Sequence, residues 1–163
     1  MQALTIDGKT FTLKNKDLKL GEIIYENELF RGAELRLSGS EIYHIKPTGI
    51  LDTRMAVIKG GEEVAHLTMT WGGVIQISYQ DGYTYHMKLS HFFSGKFCIE
   101  DEQGVTIIQF LPKFDWRKFR YQFELEYELT DGHSGQEPLL LLLGVYACNY
   151  FISCLSGANA GMM

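Results

Sequence analysis

Residues 138–163 contain no charged side chain, whereas the 15 basic and 20 acidic residues of the chain all fall at or before Glu137. Within that tail, Leu139-Leu-Leu-Leu-Leu143 runs into Gly144-Val-Tyr-Ala-Cys-Asn-Tyr-Phe-Ile-Ser-Cys-Leu155. Pro138 suits a first helical position, where its missing N–H is not needed, and Glu137 beside it favours the helix dipole. Gly157 is the expected stop. A helix over 138–155 is expected, and its residues 139–155 are apolar on every face, so it must be surrounded by lipid or by protein.

The body ahead of it reads differently. Between residues 9 and 130 the dominant pattern has period two, the alternation of a strand with one buried face. Phe119, Tyr121, Phe123, Leu125, Tyr127 and Leu129 alternate with Arg120, Gln122, Glu124, Glu126, Glu128 and Thr130. Ala65, Leu67, Met69 and Trp71 form a second such stripe, and Tyr83, Tyr85, Met87 and Leu89 a third. Shorter stripes are Ile75-Ile77-Tyr79, Phe97-Ile99 and Ala33-Leu35-Leu37. Asp7-Gly8, Gly39, Gly60-Gly61, Gly72-Gly73, Asp81-Gly82, Asp101–Gly104 and Asp131-Gly132 punctuate these runs with the positive φ that tight hairpins need. This spacing predicts an antiparallel sheet of about ten to thirteen strands, which must pair as a sandwich or close into a barrel. A length of 163 residues fits one domain, 1–163, with 1–30 an extra N-terminal hairpin or a partner-facing arm.

Seventeen helical residues span about 25 Å, slightly short of a ~30 Å hydrocarbon core. No Lys or Arg within the tail anchors its ends. Asn149, Ser153 and Ser156 make a polar stripe, and the Tyr146 and Tyr150 hydroxyls need partners when buried. A helix threaded through a barrel satisfies these groups and fills the space the inward aromatics enclose. The fold expected is therefore mainly β, a closed antiparallel barrel around a buried central helix at 138–155, not transmembrane; a tail anchor in lipid is the alternative.

An all-β chain ending in one hydrophobic helix resembles the tubby C-terminal-like barrels, and most nearly the LURP-one-related proteins. The residues that carry the likeness are Ile77–Tyr85, Gly95–Gly104, the basic-aromatic Lys113–Phe123 and the Leu-rich helix from Pro138. The resemblance covers about residues 30–155. It implies twelve strands around a central C-terminal helix, and a group whose members include phosphoinositide-binding tubby domains and phospholipid scramblases.

Signs of catalysis are few. There is no Gly-x-Ser-x-Gly, His-Glu-x-x-His or Cys-x-x-Cys, so the expectation is not an enzyme, with no cofactor and no metal. Gly8-Lys9-Thr10 copies the end of a phosphate-binding loop but lacks the earlier glycine, and it reads as a hairpin turn. Cys148 and Cys154 read as buried small hydrophobes on the helix, and Cys98 as a partly exposed thiol. His44, His66 and His86 on strands could meet as metal ligands if those strands are neighbours, but solvent-face histidines are the preferred reading. Glu124, Glu126 and Glu128 on one strand face read as solvated carboxylates or a cation site. A net charge of −5 speaks against nucleic acid, whose binding rests on neutralised phosphates.

One segment departs from the acidic background. Lys113, Arg117, Lys118 and Arg120 face a lone Asp115 and interleave with Phe114, Trp116 and Phe119. With Lys88 nearby on its own outer face, these residues suit an anionic lipid headgroup; pairing with acids of neighbouring strands is the plainer reading. The start of the chain meets charge before an apolar stretch can form, so no secretory signal is expected there. The three cysteines do not make a disulfide framework. The expected role is a non-catalytic binding or adaptor domain, cytoplasmic and peripheral to a membrane, touching phospholipid headgroups or a protein partner through Lys88, Lys113, Trp116, Arg117, Lys118 and Arg120. A small-ligand-binding barrel is the further alternative.

Overall fold

The computed structural model describes residues 1–27, 30–49, 53–91, 95–117, 120–127 and 137–160. Twelve strands follow one another in chain order: β1 (Gln2–Asp7), β2 (Thr10–Asn15), β3 (Leu18–Tyr25), β4 (Ala33–Leu37), β5 (Ile42–Pro47), β6 (Arg54–Lys59), β7 (Glu62–Met69), β8 (Ile75–Tyr79), β9 (Thr84–His91), β10 (Lys96–Glu100), β11 (Thr106–Asp115) and β12 (Arg120–Tyr127). Each pairs antiparallel with its sequence neighbours, and β1 closes the barrel on β12. The even strand number makes that closure antiparallel. The seam is short, with Gln2 opposite Glu124, Ala3 opposite Phe123, and the Leu125 N–H donating to the Met1 carbonyl at 2.9 Å. Residues 2–25 thus supply three staves of the wall.

Period-two patterning sends one side chain of each pair inward. Ile23, Leu35, Ile45, Val57, Ala65, Ile77, Met87, Ile99 and Phe110, one from each of β3 to β11, have no measurable exposure; Ala3, Leu13 and Phe123 complete the ring at 1%. An eight-stranded barrel is just filled by its own side chains, so twelve strands leave a lumen. A helix, roughly 10–12 Å across with its side chains, fills it.

That helix is α1 (Glu137–Ala160). Leu139 to Asn149 are buried without interruption, which an amphipathic surface helix never shows. It enters where β12 ends and runs alongside β3. A Cβ on Gly21, near the start of β3, would stand 2.9 Å from Leu142, whereas Asn149 reaches Tyr25 at the end of that strand. Gly144 permits the closest contact with the wall: a Cβ there would lie 2.2 Å from Cζ of Phe110. The buried hydroxyls find partners across this interface, Tyr146 donating to the Arg31 carbonyl at 2.5 Å.

The helix differs from expectation at its end. It passes Gly157 and continues to Ala160, emerging from the barrel so that Cys154, Leu155 and Ser156 are exposed. Cys154 is therefore not the buried small hydrophobe expected, while Cys148 is. Cys98, expected to be partly exposed, is only 3% accessible. Beside its outward face lies the ion pair between Lys88 of the neighbouring β9 and Glu100, two residues along its own strand, and burial raises its thiol pKa. Two inward stripes also stop early. β7 ends at Met69, leaving Trp71 wholly exposed in the turn, and Tyr83 lies outside β9 and is exposed. Tyr121 keeps its inward register beside Phe123 but sits at the rim, 37% accessible, with its ring 5.2 Å from Phe114. Phe119, Thr130, Leu129, Glu128 and Asp131-Gly132 lie outside the described residues.

Candidate functional site

The up-and-down order gives the barrel two unlike ends. At the entry end, where α1 begins, the turns and strand tips carry Asp17, Glu41, Glu62, Asp81, Glu100, Asp101, Glu102 and Glu137 against Lys16 and Lys59. At the exit end, where α1 emerges, they carry Lys9, Arg31, Arg54, Lys96, Arg117 and Arg120 against Asp7, Glu26 and Asp115. Among the described residues the barrel thus has an acidic end and a basic one, which the overall net charge of −5 conceals.

Both tryptophans of the chain are at the basic end. Trp116 occupies the β11–β12 turn at 76% exposure, its ring edge-on to Phe114 at 4.8 Å. The turn is held by Asp115, whose carboxylate accepts from the Arg117 N–H at 2.9 Å and from the Gln122 amide at 2.7 Å. Arg117 is exposed beside it. Trp71 occupies the β7–β8 turn, closed by Thr70 N–H to the Val74 carbonyl at 2.8 Å and by Gly73 at φ 76°. Sequence periodicity placed Trp71 inside; the adjoining Gly72-Gly73 is the signal that the strand has ended before it.

The expected site residues separate into two groups. Trp116 and Arg117 come together at the exit end. Arg120 opens β12 opposite Asp115, and Lys118 lies outside the described residues. Lys113 and Lys88 are on the outer wall instead. Lys113 pairs with Glu124, and Lys88 pairs with Glu100 at 2.8 Å, a hydrogen bond that raises the Lys88 pKa. These two bases take the plainer structural role. The carboxylate row divides likewise, with Glu124 paired and Glu126 exposed.

The histidines do not converge. His44 stands opposite Glu34 and Ile58, His66 opposite Ala56 and Ser78, and His86 opposite Gln76 and Glu100, on different rows of the sheet. Among the described residues no group of three His, Cys, Asp or Glu side chains is placed to hold a metal ion. Gly8-Lys9-Thr10 is the β1–β2 turn, in which the Lys9 and Thr10 N–H groups both donate to Asp7 Oδ1 at 2.8 Å. Those two donors are what lowers the Asp7 pKa most directly, and they are not available to a phosphate.

Next to Trp71, between the turn and the emerging helix, lies a cavity of about 450 Å³ lined by Thr53, Met69, Thr70, Trp71, Gly73, Phe151, Cys154 and Leu155. Phe151 forms its floor toward the barrel, its ring 5.4 Å from that of Phe97. No protein-family model, curated protein or solved structure matches this chain.

Proposed function

We propose that this chain is a non-catalytic binding domain that rests its exit end on anionic phospholipid headgroups, peripheral to the cytoplasmic face of a membrane. The observation that carries the reading is that both tryptophans are exposed on turns of the one end that is also basic. Indole rings favour the membrane–water interface, where one edge is wet and the face apolar. Bases beside them favour a negatively charged leaflet at about 1 kcal/mol each near the surface. The acidic entry end faces away, which also orients the approach. The tubby-like resemblance supports the same surface, since basic side chains hold phosphoinositides in that group.

The tail-anchor reading has one supporting fact. Pro138–Ser156 is long and apolar enough to cross a membrane by length and composition. However, 61% of that stretch is buried inside the protein, and drawing it into lipid would empty the barrel.

Co-sedimentation with phosphatidylserine-containing and neutral phosphatidylcholine vesicles tests the proposal. Binding should need the anionic lipid and weaken with salt, because screening shortens the reach of surface charge. Reversing Arg117, Lys118 and Arg120 to Glu should weaken partitioning by about a hundredfold or more, from three lost contributions of about 1 kcal/mol each. Equal binding to neutral vesicles, or no change in the triple variant, would overturn it.

A further inference from the structure

The cavity beside Trp71 has a use that the charge pattern of the rim does not require. The space of about 450 Å³ is open to solvent beside the exposed Trp71, a surface cleft at the barrel rim and not an interior void. Here the local sequence leaves it open. Gly73 has no side chain to fill it, Cys154 is small, and α1 has already left the barrel wall at this point. The volume falls within the ~300–1,000 Å³ of small-ligand sites.

Its lining selects the occupant. Met69, Trp71, Phe151 and Leu155 present apolar surface, Thr53 and Thr70 add hydroxyls, and among the described residues no charged side chain takes part. A charge placed inside would lose its hydration without a partner. Trp71 and Leu155 remain exposed in the fold, and a chain lying in the cleft would cover both. The cleft opens on the end whose turns are basic, so an amphiphile could keep an anionic head at the rim and its hydrocarbon within.

We propose that this cleft binds one acyl chain of an anionic membrane lipid. The inference rests on the membrane reading for the source of the chain, but the cleft itself is tested without a membrane. Trp116→Phe leaves Trp71 as the only indole, a reporter in the cleft wall. Dibrominated stearic acid, added in solution below the concentration at which it forms micelles, should quench Trp71 fluorescence saturably at one equivalent. Cys154→Phe fills the cleft from an exposed helical position. It should abolish the saturable quenching while the melting temperature holds.

Absence of quenching, quenching that never saturates, or quenching unchanged by Cys154→Phe would overturn the proposal. Vesicle sedimentation of the unmodified chain separates the two readings. Saturable quenching without vesicle binding keeps the cleft and removes the headgroup reading. Vesicle binding without quenching removes the cleft alone.

Discussion

The side-chain amide of Asn149 donates a hydrogen bond of 3.1 Å to the Tyr25 hydroxyl, joining residues 124 apart in the chain inside the barrel. Both groups are buried, so neither has water as a substitute partner. Burial pushes the Tyr25 hydroxyl pKa well up, with the Asn149 bond pulling the other way. Leaving a buried polar group unpaired costs about 1–3 kcal/mol. Asn149→Leu should therefore lower the melting temperature by several degrees, at about 2–4 °C per kcal/mol for a chain of this size. Tyr25→Phe should do the same. The double variant should lose less than the two added together, because it removes both orphaned groups. Full additivity in a double-mutant cycle would show that the bond contributes nothing.

Gly144 tests how tightly the helix is seated. Alanine is the better helix former by about 1 kcal/mol, so Gly144→Ala would stabilise an exposed helix. Here its Cβ would meet Phe110 Cζ at 2.2 Å and Ile99 Cδ1 at 2.9 Å, and both side chains are fully buried. Overpacking of this kind costs about 1–3 kcal/mol. We expect a net loss, read as a lower melting temperature, and partial recovery when Phe110→Leu is added. A stabilised Gly144→Ala variant would place the helix outside the barrel.

The interior also sets a response to alkali. Burial raises the hydroxyl pKa of Tyr25, Tyr79 and Tyr146, and that of Tyr85 is pushed up to about 12. Tyr79 has no hydrogen-bond partner among the described residues. These groups keep their protons in the folded state at pH values where the unfolded chain releases them. The folded state then binds more protons, so stability is full below about pH 10 and falls as pH rises toward the folded values. Each fully buried tyrosine contributes a slope of about 1.4 kcal/mol per pH unit. Denaturant melts from pH 8 to 12 should show stability flat at first and falling steeply above about 10. Tyrosinate absorbance showing all nine tyrosines ionised near pH 10 without unfolding would contradict this.

At the exit end the expectation is the reverse, function without stability. Trp71 and Trp116 are exposed, and substitutions at such positions usually change stability by no more than about 0.5 kcal/mol. Trp71→Ala and Trp116→Ala should each leave the melt unchanged and weaken binding to anionic vesicles roughly tenfold, since interfacial binding scales with the apolar area inserted. Vesicle binding that survives the double variant would show that charge alone holds the surface.

Much of the architecture is legible in the pattern of residues. Alternation in Ala65-Leu67, Tyr85-Met87 and Phe123-Leu125 marks the wall, and the uncharged run after Pro138 marks its filling. What escapes is the exact place where a stripe stops. Trp71 continues the parity of Ala65, Leu67 and Met69, yet the strand has ended at Met69. Residues 1–30 were ambiguous for a related reason. The β2–β3 turn places Lys16, not glycine, at φ 55°, so the usual punctuation is missing. The candidate site was half visible. Trp116 and Arg117 share one segment, but Trp71 joins them only through a topology that places alternate turns at one end. Lys88 and Lys113 look equivalent to Arg117 in sequence, and only strand register reveals their partners Glu100 and Glu124.

The apolar tail is the core of the barrel, with Leu139 to Asn149 buried inside it. The most direct measurement compares thermal melts of the full chain and of a chain ended at Gln136, both without detergent. Removing α1 leaves unfilled the ring from Ile23 to Phe110, a loss far beyond the roughly 5–15 kcal/mol that holds a domain together. The account predicts a soluble full chain with one cooperative transition, and a shortened chain that aggregates or melts without one. A shortened chain that melts cooperatively, beside a full chain that requires detergent, would contradict it and make the tail an anchor in lipid.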